Sequence, residues 1–446
     1  MNQYLSLRLI RASCLIIVGA TALIAAASWQ YRPNAWSPET QVTNVSGDSR
    51  LVDLDADASG RILYLTWEDY SGGVQEVYFQ RSLDDGLTWN APLRLSHLTV
   101  ITTEPEPRLA TNGRQVMVFY ANRTASGQHL FYAESDDWGT DFSVPLQVTY
   151  ESGDQLGGTA AVVSSTVYLV WQQDSSGAVR VYFAKSSNSG RTWSSGVALA
   201  NDSATQDEDQ YPAIAAVDND VFVAWSRMYE GEQAIFVRTS LDFGGTWRPE
   251  VQVSSYAAES YPEFPAIASN GIDLFLVWGS SMGLLYSRSS DEGETWSKPI
   301  FLTDMSRQYV APRITAANSR IQVVVAGIHD LTSNIFYLNS PDDGQTWNAS
   351  RLTTHSPTAL SLAPVVSSNG EDTFVAWEDN RNGNFSIFYR SRPDFQLLRD
   401  FELRILTPVI FILTTTTIVY LAFESRQSKR IPPRKAEKKK ISLKMQ

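Results

Sequence analysis

An eight-residue string, Ser-x-Asp-x-Gly-x-Thr-Trp, returns along this 446-residue chain about every fifty residues, and such a period points to a repeat architecture. The string is complete at residues 82–89, 240–247, 289–296 and 340–347, and worn at 135–142 and 186–193. Its third position is held by Asp84, Asp137, Asn188, Asp242, Asp291 and Asp342. The chemistry is that of a tight turn. The carboxylate accepts from turn amides, the glycine takes positive φ, the threonine bonds the aspartate, and the aromatic fills a seam.

The rest of each unit repeats too. A strand-like run precedes each string, as at 77–80, 235–238 and 335–338, and a seventh such run lies at 387–390. Earlier in each unit a β-branched run ends in Trp67, Tyr120, Trp171, Trp225, Trp278 or Trp377, with Val325 in the sixth. A short alternating strand follows each string. Four strands per unit make one blade, so seven units predict an all-β, seven-bladed β-propeller. The seventh unit decays into Arg392, Pro393 and Asp394 without an outer strand. Trp36-Ser37-Pro38-Glu39-Thr40-Gln41 matches Trp247-Arg248-Pro249-Glu250-Val251-Gln252, so closure by N-terminal strand exchange is expected. That arrangement removes an open sheet edge.

The strings resemble the Asp-box, or BNR, repeats of the sialidase-like β-propellers over residues 36–394. The resemblance places the boxes between the third and fourth strands, on the face opposite the ligand site. Sialidases of this family hold the substrate carboxylate with three arginines, use a tyrosine with a glutamate partner as nucleophile, and use an aspartate as acid/base. Carried over, that suggests Arg108 and Arg313 as two of the arginines, Tyr309 as nucleophile, Glu263 as its partner and Asp55 as acid. A third arginine and the family's Phe-Arg-Ile-Pro signature are missing, and Tyr31-Arg32-Pro33 precedes the first strand. Sialidases also usually have six blades.

The residues alone point at one ring. Thirteen positions before the strand-two aromatics lie Pro107, Pro212, Pro265 and Pro364, with Pro312 in the same place in the sixth unit. The residues that follow enter the innermost strands at the channel mouth: Asp55, Arg108, Thr159, Ala213, Ala266, Arg313 and Val365. Two arginines in a ring of mostly small residues can clamp a carboxylate. The competing reading is a pair of inter-blade ion pairs. Charged residues near the strand-two to strand-three connections, Glu68, Arg227, Glu378 and Arg381, are the other expected ligand contacts.

Charge and hydropathy set the expected location. The apolar stretch within residues 1–29 follows Arg8 and Arg11 and ends in Ala25-Ala26-Ala27, the pattern of a signal peptide or signal anchor. Residues 405–423 carry no charge and are long enough for a transmembrane helix. Within the tail, 424–446, nine basic residues from Arg426 onward face only Glu437, which predicts a cytoplasmic tail and an extracytoplasmic propeller. Setting aside those tail charges and Arg8 and Arg11, a net charge of −12 becomes about −22 for the remainder, which disfavours nucleic acid as a partner. Cys14 is the sole cysteine, so no disulfide supports the propeller. Four histidines and no Cys/His cluster suggest neither metal nor cofactor. The expected function is binding of a glycan or surface protein by a membrane-anchored propeller, with a sialidase-like exo-glycosidase as the alternative.

Overall fold

The aromatic-ended runs form strands covered on both faces. Leu63–Asp69, Leu274–Ser280 and Thr373–Asp379 are buried at every residue. A strand sandwiched between neighbouring sheets reads as a continuous apolar run instead of an alternating one. The computed structural model describes residues 36–393, apart from 45, 58, 97–104, 176, 201–207, 256–260, 305–306 and 355–358. Both apolar segments expected to meet a membrane lie outside the described residues. Among those described, no helix is long and apolar enough to cross one.

Seven antiparallel four-stranded sheets form the blades. Blade I runs outward through Ser49–Ala56, Leu63–Asp69, Glu76–Ser82 and Leu93–Arg94. Blades II to VI repeat this order from Arg108–Thr111, Asp154–Val163, Glu208–Val217, Glu263–Ser269 and Gln308–Ala317. Blade VII holds Ser361–Ser368, Thr373–Asp379 and Ser386–Arg392, and Thr40–Gln41 pairs beside the last of these. An apolar cluster fills each of the seven seams, as where Trp171 of blade III meets Phe119 and Tyr132 of blade II. Burying five tryptophans, Trp67, Trp171, Trp225, Trp278 and Trp377, at 1 % exposure or less makes these seams the main source of stability.

The repeated turns are closed by local hydrogen bonds. In blade I, Gly86 N donates to Ser82 Oγ at 2.9 Å, Thr88 N to Asp84 Oδ1 at 2.8 Å and Thr88 Oγ1 to Asp84 Oδ2 at 2.7 Å. The turns of blades IV, V and VI repeat this set. These bonds hold the Asp242 and Asp291 carboxyls down at about 2. The aromatic that ends each turn packs against the preceding blade: Trp89 meets Tyr389 at 5.5 Å, Trp247 meets Phe183 at 5.0 Å and Trp347 meets Tyr286 at 5.1 Å. The turn glycine is needed twice over. Gly139 has φ of +72° and a Cβ there would lie 2.7 Å from Phe79 Cζ.

Blade VII is completed by the same chemistry as blade IV. Arg227 bonds Asp209 Oδ1 and Glu250 Oε1, each at 2.7 Å, while Asp209 accepts from Trp225 Nε1 at 2.9 Å. In blade VII, Arg381 bridges Glu39 and Asp379, and Asp379 accepts from Trp377 Nε1 at 3.2 Å. Each arginine also lies over a phenylalanine, Phe236 at 4.4 Å and Phe388 at 4.2 Å. Glu39 thus occupies in blade VII the place of Glu250 in blade IV. Ser37 N donates to Ser391 O at 2.8 Å, Val42 N to Ile387 O at 2.7 Å, and Trp36 packs edge-on against Tyr337 at 4.9 Å.

Candidate functional site

The site begins with an irregularity that recurs in the inner strands. Their pairing slips between Arg50 and Asp53, Leu156 and Thr159, Gln210 and Ala213, Glu263 and Ala266, Val310 and Arg313, and Leu362 and Val365. At each slip one residue is left-handed: Leu51, Tyr211, Phe264, Ala311 and Ala363 have φ of 45–55°, as does Glu106 in blade II, and Gly157 has φ of 60°. A side chain in that region costs about 1 kcal/mol or more, so the surroundings must hold it. Side chains from the preceding blade do so. Gln172 Oε1 accepts from Tyr211 N at 2.7 Å, and Glu378 Oε2 from Leu51 N at 3.0 Å. The recurring prolines come next in the bulge, where a missing N–H breaks no ladder bond.

Both the left-handed residues and the residues after the prolines line one cavity of about 460 Å³ at the propeller axis. Arg108, Thr159, Ala213, Ala266, Arg313 and Val365 are all present, as the proline spacing predicts. In blade I the lining residue is Asp53 instead of Asp55. The reason is a longer turn between the first two strands: Ala56 pairs with Leu63, whereas Val217 pairs with Asp220 in blade IV. That shifts the register by two residues. Asp55 faces the channel one step deeper, accepting from Ala56 N at 2.8 Å and Ser367 Oγ at 3.1 Å.

Arg108 and Arg313 come from blades II and VI, and each donates to the carbonyl of its own preceding proline at 3.1 Å. Two carboxylates, Asp53 and Glu106, line the same cavity, and both charges act on Arg313. Burial first, and then the nearby Arg108 charge, lower the Arg313 pKa to about 10 against the opposing pull of Asp53 and Glu106. Asp53 answers them in part. It accepts from Leu109 N at 2.8 Å and Leu54 N at 3.1 Å; burial pushes its carboxyl up, while Arg108 and Arg313 pull it down. Burial, with the charge of Asp53 adding to it, raises Asp55 to about 7. Across the cavity the rings of Tyr211 and Phe264 sit 4.2 Å apart, tilted by 40°. The arrangement sets two guanidiniums, with Asp53 and Glu106 as their nearby countercharges, in one cavity with an aromatic pair.

The remaining candidates lie elsewhere. Tyr309 is 4 % exposed, its ring packed at 5.9 Å from Phe336 in the seam of blades V and VI. Glu263 stands at the start of the blade V inner strand and accepts from Gln233 Nε2 at 3.3 Å. Glu68, Arg227 and Glu378 belong to strands, not to loops, and are buried. Arg227, in strand two of blade IV, and Arg381, in the turn after strand two of blade VII, are spent on the ion networks of those blades. Among the described residues no group of three or more His, Cys, Asp or Glu side chains is placed to hold a metal. Tyr211 and Phe264 escaped the sequence reading, although each directly precedes one of the marker prolines.

No family profile matches this chain, and no curated protein matches it. Solved structures do. An ulvan lyase of polysaccharide lyase family PL25 aligns with a TM-score of 0.54 and 12% identity, covering 78% of this chain and 95% of that one. A second PL25 ulvan lyase structure, bound to -[GlcA(1-4)Rha3S]-, gives 0.54 at 11% identity over the same shares. The Trypanosoma rangeli sialidase aligns with a TM-score of 0.47 and 13% identity, over 81% of this chain and 57% of that one. At such identities the likeness to the ulvan lyases is one of fold alone.

Proposed function

We propose that this chain is a membrane-anchored, extracytoplasmic Asp-box propeller that binds an acidic glycan in its axial cavity and does not turn it over. The observation that carries the reading is the convergence of Arg108 and Arg313 on one cavity, where each guanidinium donates to its own proline carbonyl and the carboxylates of Asp53 and Glu106 answer them through space. Two guanidiniums that repel each other in a partly desolvated cavity gain from an anion placed between them, and a carboxylate accepts from both. The cavity volume falls within the range of small-ligand sites. A propeller fold shared with polysaccharide lyases makes a sugar the natural carrier of that carboxylate. A binding role is favoured over hydrolysis because Tyr309, the nucleophile that the resemblance suggests, is packed in a seam and does not line the cavity; the tyrosine that does line it, Tyr211, is the residue that turnover would implicate.

The anchoring part of the proposal rests on the uncharged stretch 405–423 and the basic tail after it. Closure of the ring by residues 36–43 completes it, since blade VII otherwise exposes a strand edge. The test is a titration of the propeller, residues 36–393, against sialylated, uronate-containing and neutral oligosaccharides by calorimetry, with an aryl sialoside turnover assay alongside. Acidic glycans should bind, neutral ones should not, and Arg313→Ala should abolish binding. Failure of every acidic glycan to bind would end the proposal. Turnover that disappears in Arg108→Ala would hand the site to a sialidase-like hydrolase.

A further inference from the structure

The cavity has a second half that the arginines do not use. Tyr211 and Phe264 are the large aromatic residues that line it, and they sit on neighbouring blades IV and V. Both are partly exposed, whereas the strand-two tryptophans of the seams are buried. Both hold left-handed backbones, with φ of 55° and 54°. The same position is Leu51 in blade I, Glu106 in blade II, glycine in blade III and alanine in blades VI and VII, so the fold accepts a small residue there and an aromatic occurs in blades IV and V alone. The strained backbone re-aims these two side chains from the strand surface into the cavity, as bulges beside ligand sites do. Gln172 fixes the Tyr211 amide and thereby the direction of its ring.

From this we infer that Tyr211 and Phe264 form a stacking platform for the apolar face of a pyranose ring whose carboxylate is held by Arg108 and Arg313. The inference rests on the reading of the axial cavity as an acidic-glycan site and adds the geometry of recognition. A pyranose presents a patch of C–H groups on one face, and an aromatic surface covers it with dispersion contact and the attraction of polarised C–H for the π face. The aromatic pair and the arginine pair line one cavity on different blades, so a sugar acid can engage both at once. A linear sugar acid has the same carboxylate and hydroxyls but no ring face to stack. The site therefore discriminates for ring form as well as for charge. Uronates and sialic acids share this chemistry, and the two are separated by the ligands chosen below.

The experiment measures dissociation constants of the full propeller for the methyl glycosides of glucuronic acid and N-acetylneuraminic acid, each with a free carboxylate, and for linear gluconate. Wild type should prefer at least one cyclic acid over gluconate, and the identity of that acid names the source. Phe264→Leu and Tyr211→Leu should each weaken the cyclic acid about tenfold while leaving gluconate unchanged. Tyr211→Phe keeps the ring and should stay within about twofold of wild type. Saturation-transfer NMR, irradiating aromatic protons, should reach the sugar ring protons in wild type and lose them in Phe264→Leu. Leucine variants that bind the cyclic acid as tightly as wild type, with Arg313→Ala still abolishing it, would overturn the platform and leave the arginine site standing. Absence of all binding to wild type would overturn both.

Discussion

Replacing Asp55 by asparagine tests whether the axial channel is as poorly solvated as its geometry implies. The carboxyl is raised from 3.8 to about 7 by burial first, and then by the neighbouring charge of Asp53. In the unfolded chain it ionises near its ordinary value. Between about pH 4 and 7 the folded protein therefore binds a proton that the unfolded chain has released, and stability falls as pH rises. Above about pH 7 both states are ionised and the penalty is constant. Integrated from pH 5 to pH 8, these two values give a loss of about 2.5 kcal/mol attributable to Asp55. Asparagine keeps an oxygen to accept from Ser367 Oγ and Ala56 N and carries no charge. The stability of Asp55→Asn relative to wild type should thus rise by about 2.5 kcal/mol across that interval. Urea unfolding followed by tryptophan fluorescence at pH 5, 6, 7 and 8 measures it; groups remote from Asp55 cancel in the difference, while Asp53, coupled to it by charge, contributes to it. A difference that is flat with pH would mean that Asp55 is ionised throughout, and the argument for a desolvated channel would fail with it.

Four further outcomes are expected. Starting the propeller at Gly47 removes the Ser37, Val42 and Thr43 hydrogen bonds to the last strand together with the Trp36 contact to Tyr337, and should cost at least about 5 kcal/mol. An unchanged melting temperature would rule out closure by this strand. Gly86→Ala places a Cβ against the Tyr389 ring at φ of +82° and should destabilise by about 2 kcal/mol or more, while Gly72→Ala, with open space around it, should be near neutral in the same melt. Glu39→Ala and Arg381→Ala should couple in a double-mutant cycle by about 1–3 kcal/mol, and Glu250→Ala with Arg227→Ala should couple similarly; additive effects would show the two networks to be idle. On intact cells a bulky impermeant thiol reagent should label Leu331→Cys, which is 90% exposed, and not Lys440→Cys; labelling of the tail alone would invert the proposed topology.

How much of the protein was legible in its residues depends on how local the governing interaction is. The turn strings could be read because their bonds close within four residues, from Asp84 to Thr88 and from Ser82 to Gly86. The blade count followed from strand-two runs whose continuous apolarity reflects cover on both faces. The match of Trp36 to Gln41 with Trp247 to Gln252 reported a side-chain network, because Glu39 and Glu250 meet equivalent arginines. The proline rhythm placed Arg108 and Arg313 on one ring, since every residue after a bulge points to the axis.

What escaped was whatever two distant segments settle between them. Nothing about Leu51, Tyr211, Phe264, Ala311 or Ala363 announces a left-handed backbone; it is imposed in part by carbonyl and carboxylate oxygens on the blade before, 39 residues away for Tyr211 and 327 for Leu51. A longer turn in blade I moved Asp53 into the place expected for Asp55. Glu68, Arg227 and Glu378, expected as ligand contacts near the connections, are buried in strands, because cover by neighbouring strands is a property of the assembled ring, while Arg381 does lie in a turn but is held by Glu39 and Asp379. Local hydrogen bonding and two-sided burial write the propeller and its repeat into the sequence. The cavity exists only where seven inner strands meet, so its lining, its charge balance and its aromatic wall are decided by tertiary structure alone.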